Sequence, residues 1–421
     1  MNKEGYKKTE LGYLPLDWDV KKLGYITNNV TIGLVKTMTA HYCEQGVPLI
    51  RNSNIKEDKI DKENMVFLTY EFAEANENKR LKVGDIVTVH TGDIGTSAVI
   101  EKDMDGAHGF ATLNTTVNPE IIYNYYLSKY FNSNMYKKQA ISFSTGDGRF
   151  NLNLKDFVNS LIPIPPLKEQ KKIAEILSSV DAVIEKTEQV IAKTEEVKKG
   201  LMQQLLTKGI GHTEFKQTEI GEIPLEWEVV SIESFSTVIR GASPRPKGDP
   251  RYYGGNVPRL MGADVTRDKK YVTPKIDFLT EEGAKLSRQM SKGDFVIVCS
   301  GTVGLPAILA IDACIHDGFL ALKDINPKVS KEYLYYIFTQ LRQQLDSKAT
   351  HGGVFTNLTT QIVKEFKIAL PSIDEQENIS NILKGIDDKI DLEQKHMDKL
   401  SDIKKGLMQQ LLTGKTRVKI D

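Results

Sequence analysis

Two long segments of the chain carry apolar residues at alternating spacings of three and four positions, with lysine and glutamate filling most positions between them. In the first segment the apolar stripe consists of Ile173, Leu177, Val180, Ile184, Ile191 and Leu201, with threonines at 187 and 194, and Met202 and Leu205 are expected to pack beside its end. In the second segment it consists of Ile379, Leu383, Ile386, Ile390, Met397, Leu400 and Leu407, with Met408 and Leu411 expected to pack beside its end. A stripe with this heptad spacing predicts two long helices that each bury one narrow face against a partner.

The residues ahead of each predicted helix follow a different pattern. Short β-branched runs stop at glycines, as in "GDIVTVHTGDIG" (84–95) and "GDFVIVCSGTVG" (293–304), and this pattern is typical of short strands joined by tight turns. Prolines at positions 163, 165 and 166, and at 371, then mark the start of each helix. The sequence therefore predicts two α+β globular domains, each followed by one long helix.

The two halves of the chain are copies of one unit. The decamer "KKGLMQQLLT" occurs at 198–207 and again at 404–413, and "IPIPPLKEQKKIAEILSSVDAVIE" (162–185) aligns with "IALPSIDEQENISNILKGIDDKID" (368–391). Further upstream, "TELGYLPLDWDV" (9–20) aligns with "TEIGEIPLEWEV" (218–229). A repeat this long indicates duplication of a whole domain. We predict globular domains over 1–162 and 211–370, and helical spacer regions over 163–210 and 371–421.

Two copies related by a pseudo-twofold axis must share an isologous contact, so we expect the two helices to pair as an antiparallel coiled coil. The identical decamer would then be the far end of each helix, docked against the base of the other copy. Packing of each helix along its own domain is the alternative.

Composition restricts the class of protein. The 421 residues carry equal numbers of acidic and basic side chains, so the net charge does not favour any class of partner and any basic surface must be local. Three scattered cysteines do not make a disulfide framework and favour a reducing cytoplasm. Neither a charged-then-apolar leader nor an apolar run of ~20 residues is present, so we expect no secretion and no membrane insertion.

Candidate catalytic motifs are weak. A phosphate-binding loop that ends in "TGKT" at 413–416 would need a glycine at position 409, but this position is Gln409. Asp264, Asp268 and Lys270 follow a nuclease-like order, which leaves a metal-dependent nuclease as one alternative, although this spacing is common in solvated turns. We predict a non-catalytic binding protein without a metal site.

The strongest binding signal is a basic cluster in the second globular domain. Its candidate DNA-binding residues are Arg245, Lys247, Arg251, Tyr252, Tyr253, Arg259, Arg267, Lys269 and Lys270. Arginine side chains in loops suit phosphate oxygens and guanine edges. The corresponding part of the first domain is less basic, and its candidates are Arg51, Asn52, Asn54 and Lys56, with Arg149 further along the chain.

The repeated blocks "LGxxPxxWxV", "PxPPLxEQ" and "KKGLMQQLLT", in this order around two unlike globular domains, resemble the specificity subunit of type I restriction-modification enzymes over nearly the whole chain. That resemblance implies two target recognition domains, each recognising half of a split DNA sequence, separated by an antiparallel coiled coil. The segment "IRGASPRPKGDPRYYGGNVPRL" (239–260) is similar to the opening of many such domains, whereas the first domain departs from it between Ile32 and Gly46.

The resemblance also implies partners. Double-stranded DNA, two modification subunits and restriction subunits would bind this chain, with S-adenosylmethionine, ATP and Mg on those partners and no cofactor on this chain. A duplicated coiled-coil adaptor that binds only proteins is the alternative; DNA binding that weakens at raised salt would distinguish the two.

Overall fold

The computed structural model describes residues 4–144, 150–348, 350–352 and 355–420, and the chain divides into two units. Unit 1 combines residues 1–189 with 395–421, and unit 2 comprises residues 190–394. Each unit thus takes its globular domain from one copy of the duplicated sequence and the end of a long helix from the other copy.

In its described residues, unit 1 contains two four-stranded sheets and three two-stranded pairs. Its strands are β1 (Tyr6–Thr9), β2 (Gly12–Pro15), β3 (Asp19–Lys22), β4 (Thr27–Ile32), β5 (Tyr42–Cys43), β6 (Val47–Arg51), β7 (Ile55–Lys56), β8 (Lys59–Ile60), β9 (Val66–Leu68), β10 (Ile86–Val89), β11 (Ser97–Val99), β12 (His108–Phe110), β13 (Thr112–Val117) and β14 (Leu161–Ile164). One sheet has the order β11-β10-β13-β4 and is antiparallel, and the other has the order β12-β6-β9-β5. The pairs are β1-β2, β7-β8 and β14-β3.

The helices of this part of the chain are α1 (Tyr70–Glu74), α2 (Asn124–Phe131), α3 (Asn134–Phe143), α4 (Leu154–Val158) and α5 (Leu167–Lys208). Helix α5 has 42 residues, so it begins in unit 1 and ends in unit 2. It starts directly after Pro165 and Pro166, as the sequence predicts. The Pro166 carbonyl accepts from the backbone N–H groups of Glu169 and Gln170 at 2.8 and 3.0 Å.

Unit 2 repeats this arrangement with one additional strand in its first sheet. Its strands are β15 (Phe215–Thr218), β16 (Gly221–Pro224), β17 (Glu228–Ser231), β18 (Thr237–Arg240), β19 (Tyr253–Leu260), β20 (Tyr271–Val272), β21 (Asp277–Leu279), β22 (Arg288–Met290), β23 (Phe295–Val298), β24 (Pro306–Leu309), β25 (Ala313–Ile315), β26 (Phe319–Lys323), β27 (Thr350–Gly352), β28 (Phe355–Asn357) and β29 (Lys367–Leu370). The larger sheets have the orders β18-β26-β23-β24-β20 and β21-β19-β25-β22.

The remaining helices are α6 (Gly262–Asp268), α7 (Glu281–Lys285), α8 (Lys331–Gln340), α9 (Arg342–Lys348), α10 (Thr360–Glu365) and α11 (Ile373–Leu411). Helix α11 begins in unit 2 and ends in unit 1. Within the described residues, no helix combines the length and the apolarity needed to cross a membrane.

A glycine–aspartate pair sets the start of the central strand in both units. Gly84 and Gly293 adopt positive φ angles of 92° and 84°, which glycine tolerates without strain. The carboxylates of Asp85 and Asp294 then accept from the backbone N–H three residues earlier, both at 2.8 Å. Strands β10 and β23 follow with every side chain buried, so the "GDIV" and "GDFV" motifs place equivalent strands in the middle of equivalent sheets.

The two tryptophans of the chain anchor equivalent cores. Trp18 is fully buried with Leu14, Ile173 and Leu177 of unit 1, and with Met408 and Leu411 from the end of α11. Trp227 occupies the same place in unit 2, in a core that includes Ile379 and Leu383 together with Met202, Leu205 and Leu206 from the end of α5. In each unit, therefore, the repeated motifs bring the start of one long helix and the end of the other to one tryptophan.

Candidate nucleic-acid interface

The loop after β18 in unit 2 exposes cationic side chains. Arg245 and Lys247 are exposed, and Arg245 Nη2 lies 3.6 Å from Asp317 Oδ2. Arg251 is also exposed, but its guanidinium is held by Asp249, with Nη2 2.7 Å from Oδ2, and lies 5.1 Å from the centre of the Tyr252 ring. Hydrogen bonds from Arg251 lower the pKa of Asp249, so this carboxylate stays ionised. The ion pair of Arg245 is longer than that of Arg251, so Arg245 and the exposed Lys247 are less tightly engaged by acids of the loop than Arg251 is.

Arg259 and Tyr253 support this loop. Arg259 lies on β19 and is only 6% exposed, and its Nη1 pairs with Asp277 Oδ2 at 2.5 Å while Nη2 lies 3.3 Å from Ser243 Oγ. The Tyr253 hydroxyl donates to the Pro244 carbonyl at 2.8 Å. In the described conformation Arg259 does not present its guanidinium to solvent, because the ion pair with Asp277 occupies it. Direct contact of Arg259 with DNA stays a prediction.

Two other predicted DNA-binding residues are also engaged within unit 2. Arg267 donates to Asp264 Oδ1 at 2.9 Å and to the Thr273 carbonyl at 2.7 Å. Lys270 pairs with Glu332, and its ammonium lies 4.6 Å from the centre of the Tyr336 ring. By contrast, Lys269 ends helix α6 with a φ of 62° and keeps 69% of its side chain exposed. Of these three cations, Lys269 is the one that is most available to a ligand.

The nuclease-like order of Asp264, Asp268 and Lys270 has a structural explanation. Asp264 is fully buried and caps α6, accepting from the backbone N–H groups of Met261 at 3.1 Å and Lys275 at 3.0 Å. Asp268 accepts from the Thr273 N–H at 2.9 Å. In the part of the chain that the structure describes, His, Cys, Asp and Glu side chains do not gather in threes around a point that could hold a metal ion.

The candidates of the first domain lie in a tight turn. Arg51 donates from Nη2 to the Asn64 carbonyl at 2.6 Å, and buried Asn54 donates to the Asp61 carbonyl at 3.0 Å while accepting from the Arg51 backbone N–H at 3.1 Å. The Asn52 Oδ1 atom is buried and has no hydrogen-bond partner among the described residues. Arg51 and Asn54 therefore shape the turn between β6 and β7.

Two further candidates of the first domain lie elsewhere. Lys56 is exposed at the rim of a cavity of about 1020 Å³, beside Glu57 and Asp58 and next to side chains of α2, α3, α5 and α11 in unit 1. Arg149 lies outside the described residues.

Arg240, at the start of the basic cluster, and polar residues that the sequence analysis did not select join the loop after β18. Arg240 Nε donates to the Asp317 carbonyl at 2.9 Å, and Ser243 Oγ donates to Asp317 Oδ1 at 2.5 Å. Arg288, from β22, donates to the Arg240 carbonyl at 3.3 Å. These residues come from separate strands and turns, so no local sequence pattern links Asp317 or Arg288 to the basic loop. Their approach depends on the tertiary structure.

In each unit a glutamate at the start of one long helix binds a tryptophan and a side chain that follows the other long helix. We call this group of hydrogen bonds the latch. In unit 1, Trp18 Nε1 donates to Glu169 Oε2 at 3.1 Å, and Arg417, just beyond α11, donates to the same carboxylate at 2.7 and 2.8 Å and to Asp17 at 2.8 Å. The hydrogen bond from Arg417 lowers the pKa of Asp17. The segment after the last helix is thereby tied to the start of the first domain.

Unit 2 has the equivalent latch with a different side chain. Trp227 Nε1 donates to Glu375 Oε2 at 3.0 Å, and His212, just beyond α5, lies 2.9 Å from Glu375 Oε1 through its Nε2. The glutamate of the "EQ" pair is thus the shared acceptor in both copies. Its neighbours Gln170 and Gln376 bind the backbone N–H groups of Tyr123 and Ser330 at 2.7 and 2.8 Å.

The predicted apolar stripe is the protected side of both long helices. Ile173, Leu177, Ile379, Leu383 and Ile390 are buried, as are Met202, Leu205, Met408 and Leu411, while Val180, Ile184, Leu201, Ile386 and Leu407 are half-buried. Two threonines replace apolar residues on the stripe, and each satisfies its hydroxyl within the helix. Thr187 donates to the Val183 carbonyl at 2.9 Å and Thr194 to the Val190 carbonyl at 2.7 Å.

One ion pair occurs in equivalent positions of the two units. In unit 1, Lys404 Nζ lies 2.6 Å from Asp181 Oδ1, and in unit 2, Lys198 Nζ lies 2.5 Å from Asp387 Oδ1. Lys198 and Lys404 begin the two copies of the repeated decamer, and both aspartates lie near the start of the other long helix. Within each unit, the end of one helix therefore lies beside the start of the other.

Comparison with known proteins places this duplication in a family. The family model of the type I restriction modification DNA specificity domain matches twice, at residues 15–196 and 224–402. A chain assigned as the type I restriction enzyme MjaX specificity subunit of Methanocaldococcus jannaschii is 33% identical, over 99% of this chain and 97% of that protein. The MjaVIII specificity subunit of the same organism is 27% identical over the same shares. The EcoKI specificity subunit of Escherichia coli is 27% identical over 46% of this chain and 43% of its own length.

Solved structures have the same fold. A chain from a structure concerned with complex assembly and conformational transition of the type I R-M system superposes with a TM-score of 0.58 at 20% identity, covering 96% of this chain and 99% of that one. The S subunit of a type I restriction-modification system from M. genitalium gives a TM-score of 0.57 at 14% identity, covering 94% and 96%. With two matched domains, a relative aligned over nearly its full length and a shared fold, the chain belongs to the family of type I restriction-modification DNA specificity subunits.

Proposed function

We propose that each globular domain recognises one half of a split, asymmetric DNA target, and that the two long helices set the number of unread base pairs between the halves. As a specificity subunit, the chain is the non-catalytic, DNA-recognising member of a complex with modification and restriction subunits. The proposal assigns recognition to residues 1–162 and 211–370 and spacing to residues 163–210 and 371–421. No support remains for the adaptor alternative.

The observation that carries this proposal is the difference between two recognition surfaces built on equivalent sheets. Unit 2 exposes Arg245, Lys247 and Lys269, which supply the phosphate contacts that give DNA binding its affinity and its salt dependence. In unit 1 the segment between β4 and β6 has a different sequence and length, and Arg51 is tied to its own turn. Because the two units carry different surfaces on equivalent sheets, they recognise different half-sites.

Pairing of the helices is the second part of the proposal. The equivalent ion pairs Lys404–Asp181 and Lys198–Asp387 support an antiparallel coiled coil, because each joins a helix end to the start of the other helix within its unit. The heptad stripe continues between these points through Thr187 and Thr194. We propose that the pairing extends along the whole stripe.

The long helices also carry candidate docking positions for partner subunits. Exposed apolar side chains lie outside the protected stripe, at Val183, Val197, Ile382, Leu392 and Ile403. Apolar side chains on an otherwise charged helix suit a protein interface. We propose that two modification subunits dock there, one for each copy of the unit, that S-adenosylmethionine, ATP and Mg bind to partner subunits, and that the complex works in the cytoplasm.

The test is a map of methylated motifs across DNA from cells with and without this protein. We expect one split, asymmetric motif that depends on the protein. A palindromic motif would contradict two unlike recognition surfaces, and no protein-dependent motif would contradict DNA recognition. Binding of the purified complex to DNA should weaken steeply as salt rises from 50 to 200 mM in the assay.

A further inference from the structure

The turn between β25 and β26 in unit 2 is fixed against the basic loop. Gly241 donates its N–H to the Phe319 carbonyl at 3.0 Å, and the Ala242 N–H donates to the Ile315 carbonyl at 3.1 Å. A Cβ at Gly241 would lie 2.1 Å from the His316 carbonyl oxygen, so only glycine permits this approach. Asp317, in the middle of the turn, is therefore held at a defined place beside the loop.

Asp317 is an exposed acid among exposed cations. Arg240 binds its backbone carbonyl, Arg245 lies 3.6 Å from its Oδ2, and Arg288 donates to the backbone of Arg240. The Asp317 side chain is 54% exposed. On a surface that binds phosphates, an exposed carboxylate opposes binding by repulsion, so its presence there needs another explanation.

Asp317 forms a loose ion pair with Arg245, and this ion pair does not use all the acceptor capacity of the carboxylate. Asp249 and Asp277 each lie within hydrogen-bonding distance of one arginine guanidinium, at 2.7 and 2.5 Å. The separation of 3.6 Å between Arg245 and Asp317 is longer than a hydrogen bond. Ser243 occupies Oδ1, and this hydrogen bond lowers the pKa of Asp317, so the carboxylate is ionised at neutral pH. Lone pairs on Oδ2 remain for an incoming donor.

The chemistry of the DNA grooves identifies that donor. In the major groove, hydrogen-bond donors are the N4 amino group of cytosine and the N6 amino group of adenine, whereas guanine and thymine present acceptors. An ionised carboxylate only accepts, so it favours cytosine or adenine and repels guanine or thymine. We propose that Asp317 recognises one base of the target by accepting a hydrogen bond from the exocyclic amino group of a cytosine or an adenine.

This inference rests on the proposed function and assigns the residue to one half-site. In unit 1 the corresponding turn, between β12 and β13, is the single residue Ala111, which has no polar side chain. The amino group is therefore recognised by unit 2 alone, and Asp317 supplies selectivity while Arg245 and Lys247 supply affinity.

The experiment compares complexes that contain the wild-type chain or the Asp317→Ala variant, first by motif mapping in cells. We expect the variant to accept additional bases at one position of one half-site, with discrimination reduced by about 5- to 100-fold. The exposed acid Glu233 provides the matched control, because Glu233→Ala removes the same charge from unit 2 and should leave the motif unchanged.

A second measurement separates base recognition from a structural role. Binding of the purified complexes to DNA that lacks the motif should be unchanged or tighter for Asp317→Ala, because a repulsive charge is lost. A structural role predicts the reverse, with binding to all DNA weakened and all motif positions affected together. That result, or an unchanged motif, would overturn the inference. If the wild-type complex itself shows no motif, it is the proposed function that fails.

Discussion

At the scale of single residues, Arg245 and Arg259 belong to one basic cluster in the sequence but differ in exposure, because Arg245 is exposed and Arg259 is buried. We expect Arg245→Ala, alone or with Lys247→Ala, to weaken DNA binding about 5- to 20-fold and to reduce the salt dependence by roughly one phosphate contact per substitution. The affected contacts belong to one half-site, so recognition of that half-site should weaken while recognition of the other half-site stays the same. Equilibrium binding at several salt concentrations checks this.

Arg259 provides the contrast. Its guanidinium is buried against Asp277, which is itself 30% exposed, so Arg259→Ala leaves a half-buried carboxylate without its partner. We expect a loss of about 2–3 kcal/mol in the free energy of unfolding of unit 2, measured by urea denaturation. A stable Arg259→Ala variant with altered specificity would instead show that Arg259 leaves this ion pair and contacts DNA.

At the scale of the structural elements, the "EQ" pair at the start of each long helix joins three parts of its unit. Glu169 is fully buried and accepts from Trp18 and from Arg417. Glu169→Gln replaces one acceptor oxygen with an NH2 group, which would face the N–H donors of Trp18 or Arg417. We expect unit 1 to lose about 2 kcal/mol in the free energy of unfolding. The exposed Glu175, in the next turn of α5, is the control, and Glu175→Gln should cost under about 0.5 kcal/mol. Equal stability of the two variants would exclude a role for the latch.

The length of the helices is the second prediction at this scale. Four residues inserted after Thr194 would lengthen α5 by about 6 Å, and we expect the unread gap of the target to grow by about one or two base pairs at ~3.4 Å each. Both half-sites should stay the same, since no recognition loop changes. A variant with a second four-residue insertion after Leu400, the equivalent position of α11, should show the same gap, because both helices are then lengthened equally. An unaltered gap in an active complex would mean that something other than the coiled coil positions the domains.

At the scale of the whole molecule, the duplication predicts how the target can be redesigned. A chain that carries two copies of residues 218–421 would have two identical recognition domains on the duplicated scaffold. We expect its methylation motif to be an inverted repeat of one half-site, because identical surfaces related by a twofold axis recognise palindromic DNA. The reciprocal chain with two copies of residues 9–217 should give an inverted repeat of the other half-site. Retention of the original motif by either chain would contradict two independent recognition domains.

Much of the architecture could be predicted because it repeats within the sequence. The heptad stripe and the prolines at 165 and 166 predict a long helix in the first spacer region, and α5 spans Leu167–Lys208. The glycine–aspartate motifs correctly indicate equivalent strands, since a turn that needs positive φ at one residue has a local sequence signature. The family was also identified correctly, because its motifs are short, ordered and present twice.

The candidate interface was less predictable, since charge along a sequence does not reveal which charges are paired in space. Arg259, Arg267 and Lys270 look alike in the sequence. Arg259 is held by Asp277 on β21 and Lys270 by Glu332 on α8, whereas Arg267 pairs with Asp264 within α6. Asp317 and Arg288 join the basic loop only through strand pairing, so they could not be selected from the sequence.

The sequence by itself determined the duplication, the α+β domains and the long helices, because periodicity, glycine turns and proline boundaries act over a few residues. Only the tertiary structure decided which side chains meet. The contact of Arg417 with Asp17, 400 positions apart in the chain, depends on how the last helix returns to unit 1. The burial of Arg259 and the exposure of Asp317 likewise depend on sheet packing, since burial and ion pairing are properties of neighbours in space rather than in sequence.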